Sequence, residues 1–378
     1  MSSKEVSVLE PFNRRELGKI VLGGAFGGTL LGLSRTGSCS PLAPQAESSG
    51  IHLALDGPAH PADEDVLFLK QLGVDRVCVR GTKPEDHSVE SLQSIKKIYE
   101  DAGITVNDVD NAAVNDNLPD IVLNRPGRDK AIESYTAWIR TLGQAGIYQL
   151  KATFDAVSGV RSGVADTRGT HDRDVDLNSA DLMGSHMSAK GTANSLLFGR
   201  EYKADEIWEN YTYFIRQIAP AAEEAGVGIG LQPNDPPYPS LFGVARVFST
   251  FEDCKKALQI AGSPKIGISL ACGPWLEGGA AMGIDPPGAI RYFSSKKQLF
   301  QVHFRGPSST LPHFHETFVD DAYYDLYKIM KALVDAKYDG VATLDHLVPM
   351  VGGSRAYGAF GLGYLRAMLQ CAQRGYHA

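Results

Sequence analysis

A thiol, an imidazole, a carboxylate and a carboxamide occupy matching places in the second half of this chain: Cys272, His303, Asp345 and Gln232. Each directly follows a short apolar or β-branched run, at residues 266–271, 299–302, 341–344 and 227–231. If those runs are neighbouring parallel strands of a barrel, their C-terminal ends converge on one mouth, where that architecture carries its chemistry. Taken singly, a buried cysteine is usually a small hydrophobe, and a strand-end histidine or aspartate can be purely structural. Four such groups in succession look instead like the ligands of a borderline divalent ion, Mn2+ first, with Fe2+ and Zn2+ as alternatives. Gln232 is the weak member, a neutral amide oxygen.

The elements that must position them alternate strictly. Strands are predicted at 51–55, 76–79, 104–109 and 148–154, followed by the four already given, and helices at 62–72, 89–102, 130–145, 204–225, 250–260, 287–293, 322–336 and 356–374. Eight strands and eight helices in alternation predict a (β/α)8 TIM barrel, a closed parallel sheet over residues 51–374. A doubly wound open sheet is the competing architecture. It wants a glycine-rich phosphate loop after the first strand, and Asp56-Gly57-Pro58 supplies none. Residues 155–203 form a long insertion after strand 4, with Arg161, Arg168, His171, Asp172, Arg173 and Asp174 on a Gly/Ser background. It emerges at the catalytic face and is expected to cover the substrate.

Composition narrows the classes further. The chain has 378 residues, 43% hydrophobic and 21% charged, with a formal net charge of −7. Neither nucleic acid nor an anionic membrane is an expected partner. The expected partner is a small sugar acid or sugar derivative, and homo-oligomer formation is left open. Asn13-Arg14-Arg15 precedes a glycine-rich apolar run too short to span a bilayer, which predicts a twin-arginine export signal over residues 1–46 and a periplasmic or secreted protein. Cys39, in a degraded lipobox, would be the only point for a lipid anchor. The five cysteines have no disulfide-like spacing. Export in the folded state would let Cys272 meet its metal inside the cell.

Several segments resemble D-mannonate dehydratases, a family of xylose-isomerase-like barrels. They are Gln232-Pro-Asn-Asp-Pro-Pro, Phe248-Ser-Thr-Phe-Glu-Asp, Cys272-Gly, His303-Phe-Arg305, Phe314-His-Glu316, Leu344-Asp-His346 and Ala356-Tyr-Gly-Ala-Phe-Gly-Leu-Gly-Tyr-Leu-Arg366. The likeness is dense from about residue 226 onward and weaker from 60 to 161. It implies a metal-dependent lyase that dehydrates a hexonate to a 2-keto-3-deoxy acid. The family's ligands, His, Cys, His and Asp, fall on Gln232, Cys272, His303 and Asp345, so the first is a departure. The resemblance further implies His346 and Tyr357 as acid/base groups, with Arg161, His315, Glu316 and Arg305 as substrate contacts. Readings kept beside it are an isomerase, epimerase or β-eliminating lyase on a keto-sugar or glycoside, and a non-catalytic carbohydrate-binding barrel.

Overall fold

The structure, a computed structural model, describes residues 50–375 apart from residue 186. The predicted export signal and Cys39 lie outside the described residues. The barrel strands are β1 (His52–Pro58), β2 (Arg76–Arg80), β3 (Thr105–Val109), β4 (Gln149–Ala152), β5 (Gly228–Leu231), β6 (Ile266–Ala271), β7 (Leu299–Phe304) and β8 (Val341–Leu344). All pairings among them are parallel. The sheet order runs β3-β2-β1-β8-β7-β6-β5-β4. This is the predicted TIM barrel with one seam: β3 and β4 flank each other without ladder hydrogen bonds among the described residues.

The strands carry β-branched and aliphatic residues that pack against the helices, alternating with small or polar residues such as Gly228 and Gly230 on β5, Ser269 on β6 and Gln301 on β7. The helix Ala204–Ala225 shows the matching helical period. Its buried Trp208, Tyr211, Ile215 and Ile218 recur at three- and four-residue spacing. Tyr211 meets Phe154 and Phe248 edge-on, at centroid separations of 5.2 and 5.0 Å. Each such ring removes enough apolar surface from water to stabilise the barrel by roughly 2–3 kcal/mol. None of the described helices is long and apolar enough to cross a membrane.

The insertion after β4 is more ordered than a loop prediction allows. It contains an antiparallel hairpin, Gly163–Thr167 with Thr170–Asp176. The two-residue connection Arg168-Gly169 has φ of +54° and +77°. Positive φ at both central positions is the twist-matched turn for a tight hairpin, and glycine takes the second at no steric cost. The second hairpin strand, Thr170–Asp176, is the centre of a three-stranded sheet and pairs antiparallel with His313–His315 from the segment after β7. The alternation of that strand turns Arg173 and Val175 inward. The hairpin therefore delivers a guanidinium into the barrel mouth.

Candidate active site

The four predicted donors occupy the mouth as the strand ends dictate. Gln232 follows β5, and its backbone N–H donates to the Ala152 carbonyl at 2.8 Å. Cys272 leaves β6 directly into the short helix Cys272–Gly278. His303 lies within β7, and Asp345 follows β8 with its N–H donating to the Phe304 carbonyl at 3.0 Å. The Gln232 Oε1, both ring nitrogens of His303 and the Asp345 Oδ2 are all buried and lack a hydrogen-bond partner. Buried polar atoms are almost always partnered, so these four, gathered near the strand ends, have lone-pair or N–H capacity free for a ligand. Burial, with help from the Lys151 charge, pushes the His303 pKa down to about 3, leaving a neutral imidazole able to bind a metal. Burial opposes the Asp345 carboxylate, but His346, His303 and Arg305 outweigh it and hold its pKa below the ordinary range. The set is open: His303 Nδ1 stands 4.0 Å from Asp345 Oδ1. No three acidic, thiol or imidazole groups among the described residues form a ready-closed metal cluster. In donor chemistry and in unpaired atoms, these residues fit a divalent ion.

Beside the tetrad lies a buried charge lattice that sequence reading did not anticipate. Arg305 donates from Nη1 to Glu277 at 2.7 Å and to both Glu316 oxygens at 2.9 and 3.1 Å, and from Nη2 to Asp235 at 2.6 Å. Its Nε lies 3.7 Å from Asp345 Oδ2. Gly273 makes room for it, since a β-carbon there would sit on the guanidinium. Arg173, from the hairpin, reaches the other Asp235 oxygen at 2.5 Å and approaches Glu316 and Glu277 at 3.6 and 3.8 Å. His346 closes the lattice, with Nδ1 2.9 Å from Glu316 and Nε2 3.9 Å from Asp345. Burial and the Arg305 charge disfavour the imidazolium, yet Asp345 and Glu316 outweigh them and raise its pKa. Two guanidiniums and one imidazolium balance Asp235, Glu316 and Asp345. That leaves Glu277 as the carboxyl without a counter-charge, and burial, with the negative Asp235 next, pushes its pKa up to about 8.

This arrangement has a measurable consequence. A carboxyl with a raised folded-state pKa contributes stability that is complete below its unfolded value and lost as pH rises through the folded value. Between pH 5 and 8 the thermal midpoint of the protein should therefore fall, by on the order of 5 °C. Glu316 has its pKa lowered, because Arg305 and His346 overcome the burial that opposes its ionisation, so its contribution is lost only in strong acid, outside that window. Glu277→Gln, neutral at every pH, should make the fall shallower, leaving the part that His346, with its own raised pKa, contributes in the same direction. An unchanged slope in that variant would refute the assignment.

The other predicted residues divide. Arg305 and Glu316 are in the lattice, hydrogen-bonded to each other and to their neighbours, with Arg305 Nε left unpartnered. His346 adopts φ +44°, a left-handed conformation that few non-glycine residues accept. Strain of this kind persists where surrounding contacts over-determine it, and it clusters at functional sites. Tyr357 is buried, and its hydroxyl accepts the Val319 N–H at 3.1 Å while its ring packs on Phe318 and Phe360. His315 is half-buried, with its backbone in the three-stranded sheet. Arg161 is exposed, bridging to Met183 through its backbone, and is not brought into the cluster. Asn234 is buried and uses both ends of its amide: it accepts from the Phe248 N–H and donates to the Phe154 carbonyl. A carboxylate could not donate the second bond.

Toward β3 and β4 the mouth opens into a cavity of about 620 Å3 lined by Lys151, Thr153, Arg125, Asp110, Asp155 and neighbouring residues.

Residues 182–376 match the family described as D-mannonate dehydratase (UxuA). That stretch contains the whole tetrad, the lattice acids, His346 and Tyr357, and begins after Arg173. The mannonate dehydratase of Thermotoga neapolitana is 27% identical over 312 residues, covering 74% of this chain and 82% of the relative. Among solved structures, the mannonate dehydratase of Streptococcus suis serotype 2 superposes with a TM-score of 0.69 at 22% identity, covering 86% of this chain and 96% of its own. A xylose isomerase domain protein from Planctomyces limnophilus superposes at 0.56 with 11% identity, covering 87% and 100%. These two likenesses speak to the fold.

Proposed function

The chain belongs to the D-mannonate dehydratase family, and from that premise we propose that it is a hydro-lyase acting on a hexonate of the D-mannonate type. Water is lost as the C2–H and C3–O bonds break, and the resulting enol becomes a 2-keto-3-deoxy acid. The observation that carries this reading is the set of unpartnered donors at the strand ends with the strained His346 beside them. Gln232, Cys272, His303 and Asp345 would hold the ion, manganese being the expected one. When bound, the ion supplies Lewis-acid stabilisation for the negative charge that builds on the carboxylate end as the C2 proton leaves.

The remaining work falls to the chain's own groups. Glu316 holds His346 Nδ1, so Nε2 is the nitrogen turned to substrate; the imidazolium would give its proton to the departing C3 hydroxyl and the neutral ring would take up the C2 proton, so that one water leaves and His346 ends as it began. Tyr357 is raised in pKa by burial and keeps its proton, and its bond to Val319 fixes the segment behind Glu316. The hairpin that carries Arg173 covers the lattice and keeps water from the charged groups.

The test is a panel of hexonates with the Mn2+-loaded full chain, read by keto-acid formation and by metal content. Mannonate should be converted. Cys272→Ser and Asp345→Ala should each lower bound metal and cut turnover by at least roughly tenfold to a hundredfold. A wild-type protein that holds metal and makes no 2-keto-3-deoxy acid from any hexonate would sink the reading.

A further inference from the structure

Lys151 stands out among the groups this mechanism leaves unused. It lies on β4, half-buried, and lines both the 620 Å3 cavity and an adjoining one of about 250 Å3 along the seam. Among the described residues its ammonium makes no hydrogen bond and no ion pair. The acids that share its cavity are otherwise engaged. Asp110 accepts from the Gly81 and Thr82 N–H groups and the Thr82 hydroxyl, and Asp155 is clamped by Arg246 at 2.8 and 3.0 Å. Asp116 also has a partner. The second cation on the wall, Arg125, rests 5.6 Å over the Phe198 ring without an ion pair among the described residues. The cavity thus holds two cations without an ion-pair partner among the described residues, beside Asp110, whose donors in these bonds are neutral.

Register sets the distance. Lys151 pairs with Gly230 on β5, two residues before Gln232. Two residues of strand are about 7 Å, close to the length of an extended lysine side chain, so the ammonium can rise from the barrel wall to the level of the metal donors. It shares the adjoining cavity with Arg80 and Asp108, and Asp108 accepts from Gln301 on β7 at 3.1 Å across the barrel, which places Lys151 beside the lumen.

We propose that Lys151 is the substrate-carboxylate anchor of this protein: a binding residue on the seam side of the mouth that draws a sugar acid into the cavity and orients it toward His346. This deepens the hexonate reading and rests on it for the substrate class. It gives the seam cavity a ligand of stated chemistry, a hydroxylated carboxylate of about six carbons.

The experiment is equilibrium binding of D-mannonate and of the uncharged D-mannitol to the full chain, wild type against Lys151→Met, Lys151→Gln and Lys151→Arg. A charge-assisted contact of this type predicts a roughly ten- to hundredfold weaker Kd for mannonate in the Met and Gln variants. Mannitol binding and metal content should not change, and Lys151→Arg should keep most of the affinity. In turnover, KM should rise with kcat little altered. Mannonate binding that is equal in wild type and Lys151→Met, or a wild type that binds mannonate no better than mannitol, would overturn the proposal. Failure of the dehydratase reading alone looks different: mannonate still binds through Lys151 and no keto acid forms.

Discussion

Arg305→Met should unfold about 5 °C below the wild type at pH 7.5. Arg305 is buried, and its guanidinium touches Glu277, Glu316 and Asp235 within 3.1 Å. Methionine has nearly the same reach and no charge, so packing is largely kept while three carboxyls lose their shared donor. Removing one partner of a buried ion pair costs about 3–5 kcal/mol, chiefly because the remaining charges stay out of water. For a chain of this size each kcal/mol lowers the midpoint by roughly 1–2 °C. The loss should shrink at pH 5.5, where the stranded acids can take up protons, and adding Glu277→Gln to Arg305→Met should recover part of it. A midpoint unchanged by the substitution would mean that the lattice is not what holds the mouth together.

His346→Asn should lower kcat by at least roughly a hundredfold, the range typical of a lost general acid or base, with KM and bound metal little changed. Asparagine suits this test because it tolerates the left-handed backbone, so φ +44° can be kept while the titratable nitrogen is lost. It can still reach Glu316 with an amide N–H, which preserves the local hydrogen bond. A fall in kcat at constant KM marks an interaction made only in the transition state. A variant within a few fold of wild type would remove His346 from the chemistry.

Much of this site was legible because it is written in local signals. The βα period, repeated eight times, specifies the barrel, and a parallel barrel brings its strand ends together whatever the loops do. Gln232, Cys272, His303 and Asp345 could therefore be placed at one mouth by position alone. The lattice was not legible. Arg173 and Asp235 are 62 residues apart, and Arg305 and Asp235 are 70 apart. Nothing in the composition of either segment announces its partner, because a buried charge looks in sequence like any surface charge. Arg173 was visible only as one charge in a polar insertion. The signal that could have placed it was the turn: Arg168-Gly169 between two alternating runs predicts a hairpin, and the alternation then turns Arg173 inward with Val175. Tyr357 shows the opposite limit. A motif match brings it to the neighbourhood of the site, and only the fold reveals that its hydroxyl oxygen accepts the Val319 N–H.

The seam between β3 and β4 makes this barrel, in topological terms, a rolled strip with two free margins. Each margin carries backbone N–H and C=O groups that a fully laced barrel would pair. Here they border the cavity holding Lys151, so the entrance is framed partly by main chain. Spreading the two margins would break side-chain contacts and no ladder hydrogen bonds, whereas widening the mouth between any other two neighbouring strands would unzip a ladder. The fold has one direction in which it can yield cheaply, and that direction lies across the floor of the cavity where the unpaired ammonium waits.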